Sequence, residues 1–185
     1  LYRHDNNEIQ HFSNQELYSF WDSFQHTASS IYIGSDNTIW VLSDWMLLKM
    51  RLENHKLTLK KYYYFPPGLI SITEDAKGAV WLGGKDQSIF VLNKGEEQFE
   101  PFHLYGKEYN FTPALLTLSS GNILVASFNH ELQLIDAASR EVTPIPIKHL
   151  NKKTAFVPVC LFEDAVGDVW IGTISNGVYR LSTTT

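Results

Sequence analysis

The stretch EDAVGDVWIGT at residues 163–173 matches EDAKGAVWLGG at 74–84 at seven of its eleven positions. Each copy sets an Asp three residues before a Gly and six before a Trp, and leaves through small residues. An internal repeat of this kind decides the architecture before any other feature does. With the aromatic position as anchor, NTIWVLS supplies Trp40, GAVWLGG Trp81, GNILVAS places Leu124 there and GDVWIGT has Trp170, so the anchors lie 41, 43 and 46 residues apart. Short apolar runs recur around every anchor in one order. SSIYIG, LISITED, ALLTLSS and VPVCLFED come before it; LKMRLE, IFVLN, LQLID and VYRLS begin eight residues after it; LTLKKYYYF, FEPFHL and VTPIPIK follow. The opening LYRHD and EIQHF read as the third and fourth runs of an earlier unit.

The turns agree with hairpin-linked strands. Asp75-Ala76-Lys77-Gly78 and Asp164-Ala165-Val166-Gly167 put Asp first and Gly last, as a type I turn wants, while Asp36-Asn37 and Ser120-Gly121 read as shorter connections. No window shows a helical stripe. The anchor runs are apolar at consecutive positions, which means both faces are covered. The expected fold is all-β: β-propeller blades of four antiparallel strands, about four blade equivalents, as part of a larger propeller. Residues 1–185 then form a partial propeller. Residues 1–12 are the last two strands of a first blade, 28–65, 68–104 and 113–147 are full blades, and 157–182 are the first three strands of a last one. Two incomplete units at the ends frustrate simple closure, so an open arc with apolar faces at both ends is expected.

Composition bounds the function. The chain is 44% hydrophobic and 14% aromatic, enough to bury a core, and its 15 basic against 20 acidic residues give a net charge of −5. No basic run exceeds a pair, which argues against nucleic acid. The single Cys160, within VPVCLFE, excludes a disulfide framework and a cysteine-built zinc site and reads as a buried small hydrophobe. Neither a ~20-residue apolar span nor a signal-peptide layout is present, so no membrane contact by this region is expected.

The two matching stretches and their continuations, EDAVGDVWIGTISNGVYRLS and EDAKGAVWLGGKDQSIFVLN, resemble the two-component regulator propeller repeat. Asp164, Gly167, Trp170, Gly172, Thr173, Gly177, Tyr179 and Arg180 match that pattern in the last unit; Asp75, Gly78, Trp81 and Gly83 match it in the second, while Trp40 is what survives in the first. The resemblance implies an extracytoplasmic, periplasmic sensor region of a bacterial hybrid histidine kinase that detects polysaccharide breakdown products. It implies that this region itself is no enzyme and needs no cofactor. Sensors of this family carry many more blades than are present here.

Taken by themselves, the repeat residues are a folding code. Trp81 and Trp170 are expected in the core between neighbouring blades, Gly83 and Gly172 allow close approach of a neighbouring strand, and Arg180 pairs with a carbonyl or carboxylate between blades. Binding must then come from where the units differ. The loops between second and third strands and those between units emerge on one face, carrying Trp45, Lys85, Asp86, Tyr105, Asn129, His130 and Asn176. Trp21, His26, Tyr109, Asn110, His149 and Asn151 join them. Aromatic faces among hydrogen-bonding groups suit an oligosaccharide ligand.

Catalysis finds little support. The seven His residues show no zinc spacing, no Gly-x-Ser-x-Gly elbow occurs, and the first strands are too apolar to line a metal channel. Two alternatives stand beside the sensor: a carbohydrate-active enzyme, for which Asp86 and Glu131 are the carboxylate candidates, and a structural propeller whose open ends take further blades of the parent chain or a second copy.

Overall fold

A computed structural model of the chain describes residues 2–3, 8–9, 28–43, 45–66, 68–85, 88–104, 114–127, 131–146, 156–174 and 176–182. Every regular element among them is a strand. A short hairpin pairs β1 (Tyr2–Arg3) with β2 (Glu8–Ile9). The first sheet holds β3 (Ala28–Ile33), β4 (Ile39–Ser43), β5 (Met46–Glu53) and β6 (Lys56–Tyr64). The second holds β7 (Leu69–Glu74), β8 (Val80–Gly84), β9 (Ile89–Leu92) and β10 (Glu100–Phe102). The third holds β11 (Ala114–Thr117), β12 (Ile123–Ser127), β13 (Glu131–Ile135) and β14 (Val142–Pro146), and the fourth β15 (Pro158–Glu163), β16 (Val169–Thr173) and β17 (Val178–Leu181). All neighbours within a sheet are antiparallel and follow chain order, so each sheet is a plain meander. The sheets meet through their first strands, β3 beside β7, β7 beside β11 and β11 beside β15.

Because strand side chains alternate in direction, a strand buried on both faces must be apolar at successive positions. That is why VWLGG of β8 and ILVAS of β12 are buried throughout. On β8, Leu82 faces back into a cluster with Trp40, Leu42 and Leu47 of the first sheet. Trp81 faces forward onto Leu115, Ile123 and Val125 of the third. In turn Leu124, Ala126 and Leu132 pack on Val169 and Ile171 of the fourth. The second and third sheets are therefore covered on both faces, as expected of stacked blades.

Two expectations are corrected on the fourth sheet. Trp170 is 40% exposed rather than core, and Cys160 is exposed rather than buried. Both lie on the face that also carries Phe162 and Val178, and among the described residues no sheet follows to cover it, whereas Trp40 and Trp81 each have one. Arg180 finds its carboxylate within the same sheet, on Asp168. A Cβ at Gly172 would meet the Cys160 Sγ of the paired strand at 2.5 Å.

All four turns from first to second strand share one backbone, including the two read as shorter. The fourth residue of each donates its N–H to the carbonyl of the first: Asn37 to Gly34, Gly78 to Asp75, Gly121 to Leu118 and Gly167 to Asp164. That fourth residue has positive φ in every case, 63° at Asn37 and 79° at Gly78, a conformation open to Gly and tolerable for Asn. Gly78→Ala should therefore cost about 1–2 kcal/mol and Gly78→Asn less. Urea midpoints of the two variants check this; equal losses would mean that crowding against Lys94, not backbone handedness, is responsible.

Candidate functional site

The repeat motif has a physical content that spacing alone did not reveal. Asp75 Oδ1 accepts the N–H groups of Lys77 and Ala79, each at 2.9 Å, while Oδ2 accepts the indole N–H of Trp81 at 2.9 Å. In the last unit Asp164 Oδ1 accepts from Val166 and Asp168 at 3.0 Å, and Oδ2 accepts from Trp170 Nε1 at 2.8 Å. One carboxylate thus holds both the turn and the tryptophan. Around Trp81 the arrangement is closed by Arg140 from the third sheet, whose guanidinium lies 4.3 Å from the ring centroid and 3.7 Å from Asp75 Oδ2.

Where the turn lacks Asp, the next sheet supplies a carboxylate. Gly34 and Leu118 occupy the Asp position in the first and third units, and each is followed by a serine. Ser35 donates its N–H and hydroxyl to Glu74, and Ser119 donates the same pair to Glu163, the last residues of β7 and β15. The second and third sheets are instead joined by the Thr73 and Thr117 hydroxyls at 2.7 Å, and by Lys77 Nζ donating to the Ala138 carbonyl.

On this turn side a cleft of ≈ 80 Å³ opens between the first two sheets. Asp36, Trp40 and Lys49 form one wall; Glu74, Asn93 and Lys94 stand on the other. It lies among the turns, not among the loops that the sequence reading favoured. The signal that could have found it is Gly34, the one glycine where two other units carry Asp.

The loop candidates fare unevenly. Trp45 is 44% exposed and stands edge-on to the exposed Tyr64 with centroids 6.5 Å apart. Lys85 donates its backbone N–H to Gly68 and Asn176 donates its own to Thr173 Oγ1. Asp86, Tyr105, Asn129 and His130 lie outside the described residues, as do Trp21, His26, Tyr109, Asn110, His149 and Asn151. The side chain of Glu131 is likewise outside them, so the Asp86–Glu131 pair lies outside the described residues.

The electrostatics favour charged carboxylates in the turns. The Trp170 indole N–H, ahead of the Asp168 and Val166 N–H groups, holds Asp164 below the usual carboxylate range. At Asp36 burial pushes the value up, but the bonds from Thr38 and the nearby Arg51 outweigh it and the net direction is down. A carboxylate lowered on folding contributes stability that is complete above its unfolded value, near 4, and is lost as pH falls through the folded value. The denaturation midpoint should stay level from about pH 7 to 5 and drop below about pH 4. In Asp164→Asn that drop should be shallower; an unchanged acid limb would assign it to other groups.

No protein-family model matches the chain, and no curated protein sequence does. Solved structures do. The extracellular domain assigned to a hybrid two-component system of B. thetaiotaomicron superposes with a TM-score of 0.68 at 16% identity, over 97% of this chain and 25% of that one. Virginiamycin B lyase of Staphylococcus aureus, solved in an inactive form with quinupristin, gives 0.62 at 16% identity, over 85% and 56%. The WD40 β-propeller domain of Doa1 gives 0.64 at 12% identity, over 88% and 53%. The four sheets are propeller blades. The likeness read from the repeat around Trp170 is thereby matched at the level of fold by a two-component extracellular domain. The chain spans about half the length of the lyase and a quarter of that domain, and among the described residues its sheets do not close into a ring.

Proposed function

We propose that this propeller arc is an extracytoplasmic, ligand-sensing region of a hybrid two-component histidine kinase, and that it recognises a glycan breakdown product. The observation that carries the reading is the superposition of 97% of the chain on the extracellular domain assigned to such a system. The exposed Trp45–Tyr64 pair supports the glycan, since an exposed aromatic face suits a sugar ring. The periplasmic location follows from the same reading. A second reading, a propeller enzyme, is favoured by the fold shared with the lyase. Incubation with a panel of oligosaccharides, following melting temperature and product release together, separates them. A shift without products, lost in Trp45→Ala, supports sensing; products support the enzyme; neither result removes the glycan from the proposal.

The Trp170 face takes, in this reading, another four-stranded sheet, because the equivalent faces of Trp40 and Trp81 are each covered by one. Exposed apolar faces of this kind seek a partner. Light scattering on the isolated chain tests it. A mass that rises with concentration identifies a second copy, a dye-binding monomer points to blades from elsewhere in a longer chain, and a monomer that binds no hydrophobic dye overturns the idea.

A further inference from the structure

Granted the further sheet proposed above for the Trp170 face, on which this step rests, we infer that the sheet presents an arginine, with Trp170 as its platform and Asp164 as its counter-charge. The other copy of the motif shows the arrangement complete. At the joint between the second and third sheets, Trp81 faces forward with its N–H on Asp75, and the third sheet brings Arg140 to the pair from the turn after β13. The guanidinium lies 4.3 Å from the Trp81 ring centroid and 3.7 Å from Asp75 Oδ2, and it donates to Asn93 Oδ1 at 3.0 Å. Trp170 and Asp164 repeat that pair on the fourth sheet, with the same two backbone N–H groups on Oδ1 and the indole N–H on Oδ2. There the ring is 40% exposed.

The arginine goes with the aspartate. At the first joint Gly34 stands in place of the Asp, and the second sheet, residues 69–102, contains no arginine. At the third joint Leu118 and Leu124 replace both members of the pair, and the arginine of the fourth sheet, Arg180, lies on the far face beside Trp170. Of these three joints, the one with an Asp–Trp pair is the one an arginine crosses. Charge points the same way. Glu163 is engaged by Ser119 of the third sheet, while Asp164 and Asp168 share the open side with Arg180. Arg180 is committed to Asp168, at 2.7 Å from Nε and 2.6 Å from a terminal nitrogen, and its guanidinium stays 6.0 Å from the Trp170 ring centroid. Two carboxylates thus face one cation, and Asp164 belongs to no ion pair among the described residues. A guanidinium can lie flat on an indole and still bond a carboxylate at the ring's edge; an ammonium, a point charge, cannot do both as well. One tie is not copied. Lys77, which reaches the Ala138 carbonyl across the second joint, has Val166 at its position in the last unit, so the arginine carries more of the polar contact there.

The test uses blocked arginine, N-acetylarginine amide, titrated into the 15N-labelled chain while the indole N–H resonances are followed, with blocked lysine and blocked norleucine as controls. Trp170→Phe, at an exposed position, assigns the Trp170 peak, and Asp164→Asn, which alters the acceptor of that N–H, assigns it again. Blocked arginine should move the Trp170 peak saturably and leave the Trp81 peak, already beneath Arg140, still. Blocked lysine should bind about two- to fivefold more weakly, the stacking it forgoes, and norleucine should not register. Asp164→Asn should weaken arginine binding about two- to fivefold, the range of an exposed ion pair. Light scattering in parallel keeps two questions apart. A face that is covered or binds dye while the Trp170 peak ignores arginine retains the further sheet and overturns the arginine. A monomer that binds no hydrophobic dye overturns the sheet, and the arginine it was to bring with it. An equal response to lysine, or full affinity in Asp164→Asn, would also overturn the assignment.

Discussion

Trp81→Ala should destabilise the fold by about 3–5 kcal/mol, while Trp170→Ala, at the matching position of the last blade, should cost about 1–2 kcal/mol. The two residues sit in stretches that match at seven of eleven positions and make the same bond to an Asp; their cover differs. Trp81 has no exposed surface, meets Phe102 edge-on with centroids 5.0 Å apart, and lies beneath the Arg140 guanidinium. Its removal opens a cavity between two sheets whose strands are tied by ladders on both sides and cannot close in. Trp170, 40% exposed, leaves its space to water. Thermal and urea unfolding of the two variants give the comparison. Equal losses would mean that the outer face of the last blade is covered in solution, by a second copy or by refolding of the arc.

Asp75→Ala should be of similar size, about 3–5 kcal/mol, because it strands several groups at once. The Asp75 side chain has no exposed surface, and its loss leaves the Lys77 and Ala79 N–H groups and the Trp81 indole without their acceptor. It also leaves Arg140, one of whose terminal nitrogens is already buried without a partner, facing an apolar wall with its counter-charge gone. Asp164→Ala removes the same bonds at the solvent-facing copy and should cost a small fraction of that. The double variant Asp75→Ala/Trp81→Ala should lose clearly less than the sum of the singles, since the two side chains share one bond. Strict additivity in that cycle would show that the Asp–Trp bond contributes nothing and that the two act through separate contacts.

The sequence by itself determined the repeat, the all-β class and the four-stranded antiparallel unit. Those features rest on local physics: an alternating backbone buried on both faces demands consecutive apolar residues, and a four-residue turn demands Gly or Asn at its last position. The degenerate turns at Gly34 and Leu118 were underread because their side chains differ while their backbone does not. Burial of a given tryptophan was not legible, because it depends on whether another sheet follows; Trp170 and Trp81 share the Asp, Gly and Val of the repeat around them. The loop residues chosen for ligand contact were chosen by type and position, and of these the tertiary structure places Trp45 against Tyr64 at the surface. The cleft at Trp40 was decided by tertiary structure alone. It needs Ser35 and Lys49 of one blade to meet Glu74 and Lys94 of the next, and such a meeting is set by how two sheets pack rather than by either sheet's own pattern.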